Sequence, residues 1–472
     1  MAAIGTVLVY GKFRIVHPGH LRLFSHALEI GEKLIVGIIK ETNANEETNF
    51  SETVLRNLPF VSDVIVDGDA SEIILRSNPD FIVKGFEHRE TSVPESDAIA
   101  KVGAKIVYTS GNSFLTESDI LEGLDQFLKP DIRTPTEYIH RNKIDIARIS
   151  SRLREGNRAR ILILGDLIVD DYVTCHAVGM SQEDPIVVNV PISSHQYIGG
   201  AGIVAAHCQA LGATTSIISV IGNDETADWA EKKLHDYGIQ SSLFRDSTRP
   251  TTRKQRFKTD KQTLFRLSHF KQHAIDREIR GQIREELVEL LKSTDFLILS
   301  DFSYGVLDEE LSQYVIQKAL DLNIQIAADS QSSSQVGNLG KFKGAHNIFA
   351  TEREARLQLR NEQDGLAVIA GNLRKELGAR NIFLKLGADG VILEGVEDIN
   401  TERLPALNKN PVDISGAGDS MLAASGLSLS VGSSLLESAL VGSTAAAIQV
   451  SRRGNTPVSL QEVLRLLETS IY

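Results

Sequence analysis

Short apolar runs recur along the chain, separated by longer amphipathic stretches. Between Thr6 and about residue 129 the runs fall at 7–10, 34–39, 64–66, 81–83 and 105–108, with helical periodicity between them. Strands that alternate with helices in this way predict a parallel sheet wrapped by helices. The pattern breaks over 130–160, which contains Pro130, Pro135 and the cluster Arg152, Arg154, Arg158 and Arg160. This stretch reads as a linker followed by a polar helix, with its arginines solvated. A second series of runs begins at 161–164 and continues at 215–220, 296–299, 325–328, 347–349, 382–385 and 391–393, with no further polar break before the C-terminus. The expected fold class is α/β, with domains at 1–130 and 159–472 joined by a linker at 131–158. No internal repeat or low-complexity tract stands out.

Composition narrows the function classes. A chain of 472 residues with 42% hydrophobic and 24% charged residues is an ordinary globular protein with ample core. At roughly 100–200 residues per domain it holds two or three of them. A net charge of -12 argues against a nucleic-acid or anionic-membrane partner, either of which calls for a basic face. Cys175 and Cys208 are the only cysteines, so neither a disulfide framework nor a thiolate zinc cluster is expected. The N-terminal stretch lacks the basic flank of a signal peptide, and no apolar run approaches the ~20 residues of a membrane span. These features lead to the expectation of a cytoplasmic protein.

Two stretches carry candidate chemistry. The first, Val-Asp-Ile-Ser-Gly-Ala-Gly-Asp-Ser at 412–420, leads into the apolar residues Met421 to Ala424, which read as a helix. Gly416 and Gly418, with Ala417 between them, let backbone N–H groups meet an anion at the helix N-terminus. Asp419 sits at that positive end with no side chain expected beside it, placed to take a proton from an alcohol while the amides neutralise a transferring phosphoryl group. A glycine-rich turn capped by an acid would read the same way in isolation. The second stretch, Gly11 to His20, follows the first strand and reads Gly-Lys-Phe-Arg-Ile-Val-His-Pro-Gly-His. Pro18 suits a first helical turn, so His17 and His20 project from a helix start toward the strand ends, where open α/β sheets bind ligands. No third or fourth ligand accompanies them, which disfavours zinc. Paired donors over a phosphate fit better than surface imidazoles.

The octet at 413–420 resembles the signature of the ribokinase-like sugar kinases. The motif at 11–20, with Asp-Phe-Ile-Val-Lys-Gly at 80–85, resembles the cytidylyltransferase-like nucleotidyltransferases, and more narrowly the transferase half of the bifunctional ADP-heptose synthesis enzymes. The second domain resembles the kinase half of the same enzymes, through 165–172, 181–185, the Gly-Gly-Ala-Gly of 199–202 and 452–456. The resemblance implies a Rossmann-like nucleotidyltransferase domain followed by a larger ribokinase-like domain, in the reverse of the commonest fused order. It assigns His17, His20 and Lys84 to the triphosphate, with Gly11, Phe13 and Arg56 on the nucleotide side. In the kinase half it assigns Asp419 as base and Gly416, Ala417 and Gly418 as the anion hole. Asp170, Gly199 and Gly200 fall at the sugar, where Asp170 can accept hydrogen bonds from its hydroxyls, and Arg256 and Arg266 fall on the segment that reaches over the substrate phosphate. Mg²⁺, with ATP as co-substrate, completes the implied set, and a homodimer follows by analogy.

Several positions depart from that pattern. Ile203 replaces an Asn that reads the sugar, Tyr304 and Gln331 replace lysines, and Arg14 replaces an Asp after Phe13. A Ser-Thr-Thr turn becomes Phe-Leu-Thr at 114–116, and Glu352-Arg-Glu354-Ala355 stands for an Asn-x-x-Glu that organises Mg²⁺. Either glutamate could still hold water around that ion, which needs only one or two carboxylates. The reaction types therefore stand, with a heptose 7-phosphate-like substrate implied, while the sugar or the position of its phosphate is expected to differ from the family's heptose. The implied function is phosphorylation of a sugar or sugar phosphate and nucleotidyl transfer to a sugar 1-phosphate with release of pyrophosphate. Two alternatives are an active transferase beside a non-catalytic, sugar-binding or dimer-forming kinase-like domain, and a sugar kinase alone.

Overall fold

The computed structural model describes residues 5–13, 16, 18–31, 33–40, 52–53, 55–56, 58, 60–84, 94–108, 132–155, 159–259, 263–331, 337–396 and 401–469. The chain forms two compact units, Met1–Lys129 and Pro130–Tyr472.

In the first unit, β1 (Thr6–Gly11), β2 (Lys33–Ile39), β3 (Asp63–Asp67), β4 (Phe81–Lys84) and β5 (Lys105–Tyr108) form one parallel sheet in the order β3-β2-β1-β4-β5. Side chains alternate across a strand, so β1 feeds two cores. Val7 and Val9 pack with Phe24 and Ala27 of helix Pro18–Ile30, while Leu8 packs on the opposite face with Ile73 and Ile74 of helix Ala70–Ser77. The chain winds outward from β1 to β3, then crosses to β4. That reversal opens a crevice at the carboxyl ends of β1 and β4, the usual ligand position of such sheets.

The second unit is built on a nine-stranded sheet in the order β10-β9-β6-β13-β14-β15-β16-β17-β18. Its strands are β6 (Arg160–Gly165), β9 (Thr214–Ile221), β10 (Gln240–Arg245), β13 (Phe296–Asp301), β14 (Gln325–Ser330), β15 (Asn347–Thr351), β16 (Asn381–Lys385), β17 (Val391–Gly395) and β18 (Glu402–Leu404). All pairings are parallel except those of β17 with its two neighbours. Ile161 and Ile163 of β6 face a core closed by helices Ala201–Ala210, Ala417–Ser430 and Leu435–Gln449. Leu162 and Leu164 face the core under helices Arg277–Leu291 and Glu309–Asp321.

A smaller sheet leaves the large one at the end of β6. It consists of β7 (Leu167–Met180), β8 (Val187–Gly200), β11 (Arg253–Lys258) and β12 (Thr263–His269), ordered β12-β11-β7-β8. At the junction, the buried Asp166 carboxylate accepts the backbone N–H groups of Phe302 (2.8 Å), Tyr304 (3.2 Å) and Val306 (3.3 Å). Gly165 permits the turn, since a Cβ there would lie 1.8 Å from the Ser300 carbonyl oxygen.

The stretch expected as a linker and polar helix forms helices Thr136–Arg141 and Ile146–Glu155, which are built into the second unit. Tyr138, Ile146, Ile149 and Leu153 are buried in its core, and the Tyr138 hydroxyl donates to the Leu436 carbonyl at 3.0 Å. The arginines are engaged as well as solvated: Arg152 donates to the Gly432 carbonyl (2.8 Å) and Arg160 pairs with Asp295 (2.6 Å). Pro130 and Arg158 lie outside the described residues. Among the described residues, no helix is long and apolar enough to cross a membrane.

Candidate active site

A cleft of about 790 Å³ opens beside the carboxyl ends of β13 to β16 in the second unit. Its lining includes the apolar residues Ala388, Ala406, Leu407, Ala446 and Val450 and the charged residues Asp170, Lys254, Arg256, Glu354 and Lys385, together with Gln331 and the 415–419 loop.

The glycine loop folds as the sequence analysis expects. Gly416 caps helix Ala417–Ser430 in the left-handed region (φ 78°), and a Cβ there would come within 2.5 Å of Asn455 Oδ1. Asp413 holds the loop: its Oδ1 accepts the Ser415 N–H (3.0 Å), and its Oδ2 accepts the Gly454 N–H (3.2 Å) and the Tyr172 hydroxyl (3.3 Å). Asp419 stands in the first helical turn and lines the cleft. One expectation needs correction, because Asp419 does have a side-chain neighbour. Gln331 reaches from the end of β14 and its Nε2 donates to Asp419 Oδ1 at 2.8 Å. Burial, reinforced by the Asp329 charge and partly offset by Lys385, pushes the Asp419 carboxyl up to about 7.

A base with that pKa loses activity as it takes up a proton. The kcat/KM for phosphorylation is therefore expected to fall about tenfold per pH unit below pH ~7 and to level off above it. The charged groups facing Asp419 are Asp329, Lys385, Asp170 and Lys254. A rate profile from pH 5 to 9 that stays flat through neutrality would remove Asp419 from the role of base.

Asp170 is buried on β7. It pairs with Arg256 (2.9 Å) and accepts from Asn455 Nδ2 (3.2 Å). The double glycine before helix Ala201–Ala210 gives this carboxylate its room. A Cβ on Gly199 would lie 2.4 Å from Asp170 Oδ2, and one on Gly200 (φ 58°) would lie 2.3 Å from the Asp166 carbonyl oxygen. Arg256 also donates to the Tyr172 hydroxyl at 2.8 Å. Lys254 and Lys258 flank Arg256 at the i±2 positions of β11 and share its face. Lys254 Nζ lies 5.3 Å from the centre of the Tyr304 ring, and Lys258 Nζ lies 4.5 Å from that of Tyr172. Arg266 is directly opposite Arg256 on β12, but its side chain is exposed and is not among the cleft residues. Ile203 is fully buried in the hydrophobic core.

Of the two glutamates considered for Mg²⁺, Glu352 pairs with Arg356 on its own helix (2.8 Å) and does not line the cleft. Glu354 lines it, and its Oε2 accepts the Thr351 N–H at 2.7 Å in a capping box. Among the described residues, no group of three or more His, Cys, Asp or Glu is arranged to hold a metal on its own. Mg²⁺ keeps several waters and needs few carboxylates, so Glu354 fits it as a partner through water.

In the first unit, Gly11 ends β1 and Phe13 follows in the left-handed region (φ 41°). Phe13 was expected beside the nucleotide, but its ring is buried in the core. There it meets the His20 ring edge-on at 4.8 Å and the Phe24 ring at 5.7 Å, so it braces His20. Lys84 ends β4, where it pairs with Glu95 (3.4 Å) and lies 4.8 Å from the centre of the Tyr10 ring. His20 and Lys84 thus belong to the two elements that flank the crevice. Arg56, expected on the triphosphate side, is tied to the sheet edge through Glu52 (2.9 Å), Asp63 (3.4 Å) and the Val64 carbonyl (2.7 Å). His17, Arg14, Gly85 and 114–116 lie outside the described residues.

Sequence reasoning missed Lys254, Lys258, Lys385, Asp329 and Asn455. The i±2 spacing around Arg256 marks the first two and the 452–456 motif contains Asn455, whereas nothing local marks Lys385 or Asp329.

Known proteins resemble both units of the chain. Residues 8–87 match the cytidylyltransferase-like family. The chain is 30% identical over 310 residues to the bifunctional protein HldE of a Nitratiruptor species, covering 65% of this chain and 64% of that one. It is 29% identical over 320 residues to HldE of Helicobacter hepaticus, covering 67% and 65%. The chain thus spans just under two thirds of the length of these curated relatives. Among solved structures, the tetrameric inhibited form of Escherichia coli phosphofructokinase-2 superposes with a TM-score of 0.56 at 17% identity, covering 66% of this chain and all of that one. The ribokinase of Thermotoga maritima superposes with a TM-score of 0.51 at 22% identity, covering 66% and 99%. Those likenesses establish the fold of the second unit. The family described as pfkB carbohydrate kinases matches residues 161–462, more than half of the chain, and the chain belongs to that family.

Proposed function

We propose that the chain is a bifunctional enzyme of nucleotide-sugar synthesis. The second unit phosphorylates a hydroxyl of a sugar phosphate with ATP. The first unit joins a sugar 1-phosphate to a nucleoside triphosphate and releases pyrophosphate. One observation carries the kinase reading: Asp419, with a carboxyl pKa raised to about 7, lines the cleft in the first turn of the helix whose N-terminal amides follow Gly416. In this reading the apolar residues of the cleft receive adenosine, and the 416–418 amides neutralise the phosphoryl group in transit. Asp419 accepts the hydroxyl proton. Asp170 orients the sugar, and Gly199 and Gly200 leave the space for it. Glu354 would hold Mg²⁺ through water, and the ion would supply neutralising charge to the phosphates.

The row of Lys254, Arg256 and Lys258 supports an anionic acceptor, since guanidinium and ammonium groups gathered over a sugar pocket suit a phosphate far from the reacting hydroxyl. Arg256→Met is expected to lower kcat/KM for the sugar phosphate by roughly tenfold to a hundredfold, the worth of one or two charged hydrogen bonds, while ATP affinity is unchanged. Steady-state ADP release with matched phosphorylated and unphosphorylated sugars reads this directly. An equal loss on both substrates would remove the phosphate contact. In the transferase unit, His17, His20 and Lys84 act on the α-phosphorus as attack and departure of pyrophosphate proceed. The same reading places the enzyme in the cytoplasm, where both nucleotide substrates are available.

A further inference from the structure

Lys385 is a cleft lysine that the reading above does not use. It ends β16, its side chain is 11% exposed, and its Nζ lies 2.6 Å from Asp329 Oδ2. It also stands against the glycine loop: a Cβ built on Gly418 would come within 3.5 Å of Lys385 Nζ and 3.8 Å of Gln331 Nε2. Burial opposes its charge, yet Asp329, then Glu354 and Asp419, outweigh burial and hold the ammonium above the ordinary lysine range. Burial in turn raises the Asp329 carboxyl to about 6 despite Lys385, with the Glu354 and Asp301 charges acting in the same direction as burial. Asp329 Oδ1 is buried without a hydrogen-bond partner among the described residues. Three carboxylates therefore surround this part of the cleft, where a polyphosphate would be repelled unless a cation met it. Lys385 carries three N–H donors. Gln331, the other side chain beside Gly418, offers a neutral amide that is committed to Asp419.

We infer that Lys385 is a phosphate-positioning residue of the kinase cleft, bridging Asp329 to the phosphate chain of ATP beside Gly418 and Asp419. The inference rests on the kinase reading for its substrate, but its contact is with phosphate and is measurable as binding. Lys385→Met strips the cation and leaves Asp329 buried and unpaired, which threatens the fold. Asp329→Asn with Lys385→Met removes both charges and keeps the volume. Calorimetric affinities for ATP and for adenosine, together with kcat on a sugar phosphate, separate the roles. In the double variant ATP affinity is expected to fall tenfold or more with adenosine affinity unchanged, and kcat to fall roughly a hundredfold, as for loss of one preorganised donor. Lys385→Arg, which keeps the charge, recovers part of both. If the double variant binds ATP as the wild type does, Lys385 serves only to neutralise Asp329 and the inference is overturned. It is likewise overturned if ATP and adenosine affinities fall together. A wild-type protein that phosphorylates nothing, yet loses ATP-specific affinity in the double variant, would refute the kinase reading and leave the phosphate contact standing.

Discussion

Asp419→Asn is expected to lower the kcat for sugar phosphorylation by roughly 10²–10⁴-fold, the worth of a positioned general base, while pyrophosphate release by the first unit continues at the wild-type rate. The substitution keeps the shape of the side chain and an Oδ1 to accept from Gln331 Nε2, so the loop at 413–420 retains its hydrogen bonds. What it removes is the proton acceptor. It also removes a stability cost with a defined pH dependence. In the folded protein Asp419 holds its proton to about 7, against 3.8 for an ordinary aspartate, so between those values the folded state binds more protons than the unfolded one. Stability contributed by this group therefore falls as pH rises through that window. The Asn variant escapes that fall and is expected to melt several degrees above the wild type at pH 8, with the difference closing below about pH 4. Paired thermal melts at the two pH values measure this. A variant that is less stable at pH 8 would place Asp419 in a structural role.

The converse separation is expected from His17→Ala combined with His20→Ala. Nucleotidyl transfer is expected to drop by at least roughly 10²–10³-fold, the cost of losing one preorganised donor to a developing oxyanion, while phosphorylation by the second unit is unchanged. His20 stands on helix Pro18–Ile30 directly after β1, and its ring is braced by Phe13 and Phe24. Lys84 belongs to the adjacent strand β4, across the crevice where the sheet's winding reverses. Lys84→Met is expected to weaken triphosphate affinity in the same unit. If the double alanine variant, still folded, also lost kinase activity, the two units would not divide the chemistry as proposed.

The parallel strands of both large sheets, apart from the edge strand β10, were legible because each is a short aliphatic run buried between helices; β10, Gln-Ser-Ser-Leu-Phe-Arg, is only partly buried and carries no such run. The smaller sheet was not. β11 reads Arg-Lys-Gln-Arg-Phe-Lys and carries no apolar run, and in β12 the apolar Leu264, Phe265 and Leu267 are not buried, so no core-facing pattern marks it. β7 interrupts its apolar start with Asp170 and Asp171, whose burial depends on Arg256 and Arg253 from a strand more than eighty residues later. The helix Ile146–Glu155 was read as polar because its arginines and serines outnumber its large apolar residues. The apolar ones nevertheless share one face and are buried. At the site, the loop at 413–420 could be read in full because its glycines and acid are contiguous. Its neighbours could not, since Gln331, Lys385 and Asn455 arrive from the ends of separate strands and turns. Expectations that assigned side chains by position alone fared worst. Arg56 is engaged by its own sheet, Glu352 by Arg356, and Phe13 by the core.

The account depends on two phosphorus-handling sites acting on one carbohydrate route. Mass spectrometry of the products formed by wild-type protein, Asp419→Asn, and the His17→Ala with His20→Ala variant, each supplied with ATP, CTP, pooled sugar phosphates and sugar 1-phosphates, tests it most directly. The account predicts both a newly phosphorylated sugar and a nucleotide-linked sugar from the wild type, only the second from Asp419→Asn, and only the first from the double histidine variant. A wild-type sample that yields neither product, or variants that lose both together while still folded, would contradict it.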